Sequence, residues 1–321
     1  MSTGAKFGQM FVAIGLFTLV FGSILLLASR AKDRAAERIQ AGAFVLPALL
    51  FLAVGLIYPA ILTVYESFRS ADSSSFVGID NYLTILTQPD LQVVLRNTVI
   101  WMVLVPLAAT AIGLLYAVLV DRARGEAFAK SLIFLPMAIS FVGASIIWKF
   151  VYEYKPTGFA QIGLLNEILV TLGFDAQNFF LLPSPWNTLF LVVVMVWIQA
   201  GFAMTILSAA IKAIPSDIIE AARLDGATGV KMFRRITLPS IRPAVIVVLT
   251  TIGIGTLKVF DIVRTMTGGQ FETSVVANEF YNQSFIYNNT GLGAALAVLL
   301  FILVIPVVAY NVRQLRKADA R

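Results

Sequence analysis

The chain has 321 residues, 59% of them hydrophobic and 13% charged, with a mean hydropathy of +0.86. Water-soluble domains carry about 25% charged residues, so too little polar surface remains here to coat a soluble globule, and an all-α polytopic membrane protein is expected. The formal charge of +6 is better explained by basic residues at membrane loops than by nucleic-acid binding, and the lack of Cys and His excludes disulfides, thiolate chemistry, the usual zinc sites and histidine acid–base catalysis.

Seven stretches are apolar and long enough to cross the hydrocarbon core as helices: roughly 8–28, 43–65, 93–120, 131–151, 187–211, 243–260 and 291–311. Residues 8–28 have the length of a secretory leader, but only Lys6 precedes them and the positive block follows. That order favours an uncleaved anchor with its amino terminus outside. Pro47, Pro59, Pro106 and Pro136 lie in or near spans and read as kinks, since neighbouring helices can satisfy the freed carbonyls. The segments 66–92, 152–186 and 261–290 are polar enough to be loops in water.

Basic residues set the orientation. The loops after the first, third and fifth spans and the carboxyl terminus hold 17 of the 24 Lys and Arg, among them Arg30, Lys32, Arg34, Arg38, Arg122, Arg124, Lys130, Lys212 and Arg313. That side is read as cytoplasmic, with the amino terminus outside and the carboxyl terminus inside. On the outer side, Glu66 with Arg69, Lys149 with Glu153, and Lys258 with Asp261 stand at helical spacing, where paired charges soften the cost of ionised groups near a membrane.

Between the fifth and sixth spans, residues 214–243 are amphipathic rather than apolar. Ser216 can cap a helix whose first turn carries Asp217, and Ile214, Ile218, Ile219 and Ala222 form a narrow apolar stripe. Gly226 is placed to end that helix in a left-handed conformation. Thr228 can cap a second helix reaching about Ile236, with Leu238-Pro239 as its stop. A solvated loop, a DNA-binding helix-turn-helix and a docking element for a soluble partner all fit this outline. The helix-turn-helix is disfavoured because the unit is anchored at both ends to membrane spans. Docking is preferred, because Ala221, Ala222 and Gly226 permit close backbone approach while Glu220 and Asp225 offer carboxylates.

Glu220-Ala221-Ala222, Asp225-Gly226-Ala227, Phe233, Ile236, Leu238-Pro239 and Pro243 resemble, at full spacing, the EAA loop of permease subunits of bacterial ABC importers. Phe76-Val77-Gly78-Ile79-Asp80-Asn81-Tyr82, Asn97-Thr98 and the run from Gly291 to Ala297 are similar to the carbohydrate permeases among them. Many of these carbohydrate permeases have Pro where this chain has Gln270; Phe260-Asp261-Ile262-Val263-Arg264 with Met266-Thr267-Gly268-Gly269-Gln270 resembles the α-glucoside permeases more narrowly.

The resemblance covers about residues 40–313. It implies a six-span type I importer core preceded by one extra span, as in the larger permease of maltose-type importers. Residues 1–40 would be the anchor and its basic loop, and 41–321 the permease domain with a coupling loop at 212–242. It implies Glu220, Ala221, Ala222, Asp225, Gly226, Ala227, Leu238 and Pro239 as coupling residues. It further implies a location in the bacterial cell membrane, a second permease subunit, two cytoplasmic ATPase subunits that bind ATP and Mg, an outer sugar-binding protein and a carbohydrate substrate.

This chain itself carries no Gly-x-x-x-x-Gly-Lys-[Ser/Thr] loop, so no bound cofactor and no enzymatic activity of its own are expected. A proton-coupled carrier is the alternative, but no span holds the chain of acidic groups or His that a proton relay uses. For the substrate path, Asn97, Trp197, Gln199, Lys258 and Asp261 are the candidates. Packing and hydrogen bonding between spans is the competing reading of these residues.

Overall fold

The computed structural model describes residues 3–30, 34–121, 123–156 and 158–319. Of the cluster read as cytoplasmic, Lys32, Arg122 and Arg321 lie outside the described residues, as do the side chains of Arg30, Arg34 and Arg38. The fold is helical, and among the described residues there is no strand beyond one isolated bridge, Arg69 with Phe76.

Two compact units divide the chain, residues 1–65 and 66–321. The first holds α1 (Thr3–Arg30) and α2 (Arg34–Leu52), which lie side by side. A π-helical turn, Ala53–Ile57, joins α2 to α3 (Tyr58–Glu66), at whose end the units divide, after Tyr65. The turn has a chemical cause. Tyr58 N–H reaches back five residues to Ala53 O, and the next residue, Pro59, has no N–H and would clash with the carbonyl of a regular turn.

In the second unit, α4 (Asp80–Thr87) leads into α5 (Pro89–Val120), followed by α6 (Glu126–Phe134), α7 (Phe141–Val151), α8 (Leu164–Thr171) and α9 (Trp186–Lys212). Then come α10 (Ser216–Leu224), α11 (Gly229–Met232), α12 (Leu238–Ser240), α13 (Arg242–Leu257), α14 (Asp261–Met266), α15 (Val276–Tyr281) and α16 (Thr290–Asp319). The core is the seam of α5 on α9, extended by α13. Trp101, Val105 and Ala109 meet Leu191, Met195, Met204 and Leu207, with Val248 and Ile252 closing the third side. Small residues set the spacing. A methyl group added to Gly113 would sit 2.4 Å from Ala203 Cβ, and one on Gly201 would sit 2.5 Å from Ile133 O, so α5 and α6 both lie almost backbone to backbone on α9.

Among the described residues, three helices are long and apolar enough to cross a membrane, and five if each of two bent pairs is one span. The region 131–151, expected as one kinked helix, is a broken one. From α6 the chain passes through a 3-10 turn, Leu135–Ala138, and turns by 103° into α7. Pro136 lies in that turn, Ile139 and Ser140 are extended, and the Ser140 hydroxyl caps α7 by accepting from Gly143 N–H at 3.1 Å. Capping makes the break a finished helix end instead of a strained kink.

Candidate functional site

The 214–240 segment is built on the end of α9. After Lys212 the helix closes on Ala213, and Pro215 occupies the position before α10. Ser216 is therefore the first residue of α10, not its cap, and its hydroxyl makes no capping bond. At the far end the backbone folds as expected, with Gly226 at φ +76. Gly226 N–H donates to Arg223 O at 3.0 Å and Ala227 N–H to Ala222 O at 2.9 Å, the pair of bonds that closes a helix in a Schellman motif. Ala222 and Ala227 are each 6% exposed and are the buried pair beneath this turn.

The second helix differs more from expectation. Thr228 is extended and stands in the cap position, but its side chain makes no capping bond. Leu238-Pro239 does not stop the helix: α11 runs through a π-helical turn, Phe233–Thr237, into α12. Leu238 N–H bonds to Phe233 O, so the wider turn again falls just before a proline that could not have joined a regular ladder. The real corner is Ile241, where the chain turns by 68° into α13.

Of the residues assigned to coupling, Glu220, Ala221, Asp225, Gly226, Leu238 and Pro239 are exposed. Ala222 and Ala227 are not free to touch a partner; they hold the turn that presents the others. Among the described residues Glu220 and Asp225 have no ion-pair partner. Leu224 is 90% exposed and Val230 72%, an apolar tip that sequence reading overlooked. Its only trace was a Leu off the apolar stripe, immediately before Asp225-Gly226. Leu224 and Val230 thus stand in solvent on the same short segment as the Glu220 and Asp225 carboxylates. Behind the tip, Glu220, Arg223, Met232 and Thr237 face Asp121 and Lys212 across a recess of 540 Å³.

The expected substrate-path residues separate into different places. Asn97 is fully buried, and its amide donates to Glu272 O at 2.6 Å and Ser274 O at 3.0 Å. With Thr98, which accepts from Val276 N–H at 2.9 Å, and Asn187, which donates to Phe271 O, it pins the 271–276 loop over the ends of α5 and α9. Asn97 thus anchors this loop through its amide. Lys258 is exposed at the end of α13 and lines none of the recesses described here, and it makes no ion pair with Asp261. Lys149 approaches Thr265 O at 3.5 Å, while Glu153 pairs with Lys155 at 3.3 Å. Arg69 and Glu66 meet on Ser73: the guanidinium donates to its carbonyl and its hydroxyl donates to the carboxylate.

Gln199 and Asp261, by contrast, converge on one recess of 410 Å³, with Ser140 and Phe141 at the break between α6 and α7. Trp197 stands edge-on to Trp148 at 5.7 Å and lines a separate, more apolar recess of 410 Å³ with Tyr116 and Pro136. On the turn before α4, the hydroxyls of Ser70 and then Ser74 hold the exposed Asp72 carboxyl down at about 2.

Residues 92–317 match the family described as binding-protein-dependent transport system inner membrane component. The osmoprotective compounds uptake permease protein GgtC of Synechocystis is 51% identical over 86% of this chain and 99% of its own length. The alpha-glucoside transport system permease protein AglF of Rhizobium meliloti is 46% identical over 87% of this chain and 83% of its own. In fold, the chain is similar to a subunit of a bacterial ABC transporter that imports the acidic polysaccharide alginate, with a TM-score of 0.73 and 22% identity over 89% of this chain and 99% of the other.

Proposed function

The chain belongs to the family of binding-protein-dependent transport system inner membrane components, and from that membership we propose that it is one permease half of an ATP-driven importer for α-glucoside-type sugars. The substrate class is supported by the likeness to the alpha-glucoside transport system permease protein AglF, at 46% identity. As a permease subunit, the chain supplies the path and not the chemistry. ATP and Mg belong to two cytoplasmic ATPase subunits, a second permease forms the other half of the pore, and a binding protein outside delivers the sugar. The amino terminus is outside and the carboxyl terminus cytoplasmic, in keeping with the exposed Arg223, Lys231, Arg234, Arg235 and Arg242 on the 214–242 handle.

The observation that carries the reading is the handle. Its Gly226 turn offers Glu220, Asp225 and the bare Leu224 to a partner, while its two ends continue directly into α9 and α13. A soluble ATPase that grips the tip and changes shape therefore moves two spans of the core at once. The recess shared by Gln199 and Asp261 supplies an amide and a carboxylate for sugar hydroxyls, while Trp197 offers its ring to the separate recess beside it.

Two variants test the coupling role in the complete importer. Gly226→Pro, which removes the left-handed turn, and Glu220→Lys, which reverses an exposed charge, should abolish uptake and reduce copurification of the ATPase subunits, with normal amounts of permease in the membrane. Normal uptake together with normal copurification in both would refute the docking role.

A further inference from the structure

Beneath the handle lies a group of charges whose members read, from sequence alone, only as loop residues. Lys130 on α6 donates to Asp121 at 2.9 Å and to Glu126 at 2.7 Å. Lys212, the last residue of α9, bonds to Glu126 and lies 3.5 Å from Asp121. Ser208, one turn earlier on α9, donates to Asp121 at 3.0 Å and itself receives Lys130. Two cations and two carboxylates thus join three elements: the end of α5, the first turn of α6 and the end of α9.

The arrangement is locally costly at one point. Asp121 closes α5, where the helix dipole is negative and repels a carboxylate, and its side chain is only 9% exposed. A carboxylate that sheltered depends on its cations to offset the hydration it has lost. Glu126, in the first turn of α6, and Lys212, in the last turn of α9, sit instead where the dipoles favour them. Lys212 is half exposed and contributes little as an isolated surface pair; its importance is that it links the network to α9.

Position suggests the purpose. Only Ala213, Ile214 and Pro215 separate Lys212 from α10, and Asp121 and Lys212 line the recess against Glu220 and Arg223. Apolar helix faces can slide past one another by small shear steps. A bonded charge cluster cannot slide without exposing a buried carboxylate.

We propose that Asp121, Glu126, Lys130 and Lys212 are positioning residues that lock the cytoplasmic ends of α5, α6 and α9 together, so that a push on the handle moves all three as one body. This rests on the handle being the coupling element. Without the lock, α9 follows the handle alone, and ATP is consumed without a full turn of the path.

The test uses the complete importer in proteoliposomes, with its binding protein and a transported sugar, and reads sugar taken up per ATP hydrolysed. Asp121→Asn and Lys212→Met should leave the amount of assembled complex and its ATPase rate unchanged and lower that ratio about fivefold or more, the lower bound of a typical coupling effect. Lys212→Arg should retain the wild-type ratio, and the Asp121→Asn/Lys212→Met double variant should be no worse than the poorer single one. An unchanged ratio in both single variants overturns the proposal. So does a fall in uptake that merely tracks loss of assembled complex. Glu220→Lys in the same series separates the two readings. If it loses the ATPase while the cluster variants couple normally, only the lock fails; if it too couples normally, the handle reading falls with it.

Discussion

Gly226 shows how much one residue decides. Its φ of +76 is a conformation that costs other L-residues about 1–2 kcal/mol, and two backbone bonds depend on it. A methyl group there would meet nothing within 4 Å, so the penalty of Gly226→Ala is purely conformational. It should weaken the turn by about 1 kcal/mol, seen as an about fivefold loss of hydrogen-exchange protection at the Ala227 amide, with Gly226→Asn losing less. Protection unchanged in both variants would show that the turn does not depend on this residue. The left-handed role of Gly226 was legible in the sequence because it follows from one residue's own sterics. The roles of Ala222 and Ala227 were not, since their type is equally suited to a partner's surface and to the underside of a turn. Asn97 is ambiguous for a related reason: an amide at a span's opening suits a substrate or a loop carbonyl, and only the fold brings Glu272 and Ser274 to it.

At the scale of elements, apolar runs located the helices but not their corners. The 131–151 run is broken by 103° where Pro136 and the Ser140 cap act together. The second helix of the handle runs past Leu238-Pro239 because a π-helical turn absorbs the proline. Hydropathy is blind to both, since it averages over the few residues that make the turn. Helix contacts are equally local in their consequences. Gly201→Ala places a methyl 2.5 Å from Ile133 O, and overpacking of this kind costs about 1–3 kcal/mol. The purified complex should unfold several degrees lower. Gly255→Ala, where the methyl meets nothing within 4 Å, should not lower the midpoint. Equal midpoints for the two variants would deny the close approach of α6 to α9.

For the whole molecule, orientation is the property most exposed to test. The chain has no cysteine, so single-cysteine variants report without background. Lys231→Cys, on the handle, should react with an impermeant maleimide only in inside-out vesicles. Ser74→Cys, in the turn before α4, should react only in intact cells, and the opposite pattern would invert the topology.

The sequence by itself determined that this is a helical membrane protein and that a charged, Gly-terminated helical handle interrupts its apolar helices. Those properties depend on solvent transfer and short-range sterics, which act between residues close along the chain. Tertiary structure alone decided that Asp121, Glu126, Lys130 and Lys212 form one cluster, that Gln199 and Asp261 share a recess while Lys258 lies outside it, and that Asn97 serves a loop. Each of those meetings joins residues on different elements, and which ones meet is set by how closely the helix backbones pack at positions such as Gly113 and Gly201.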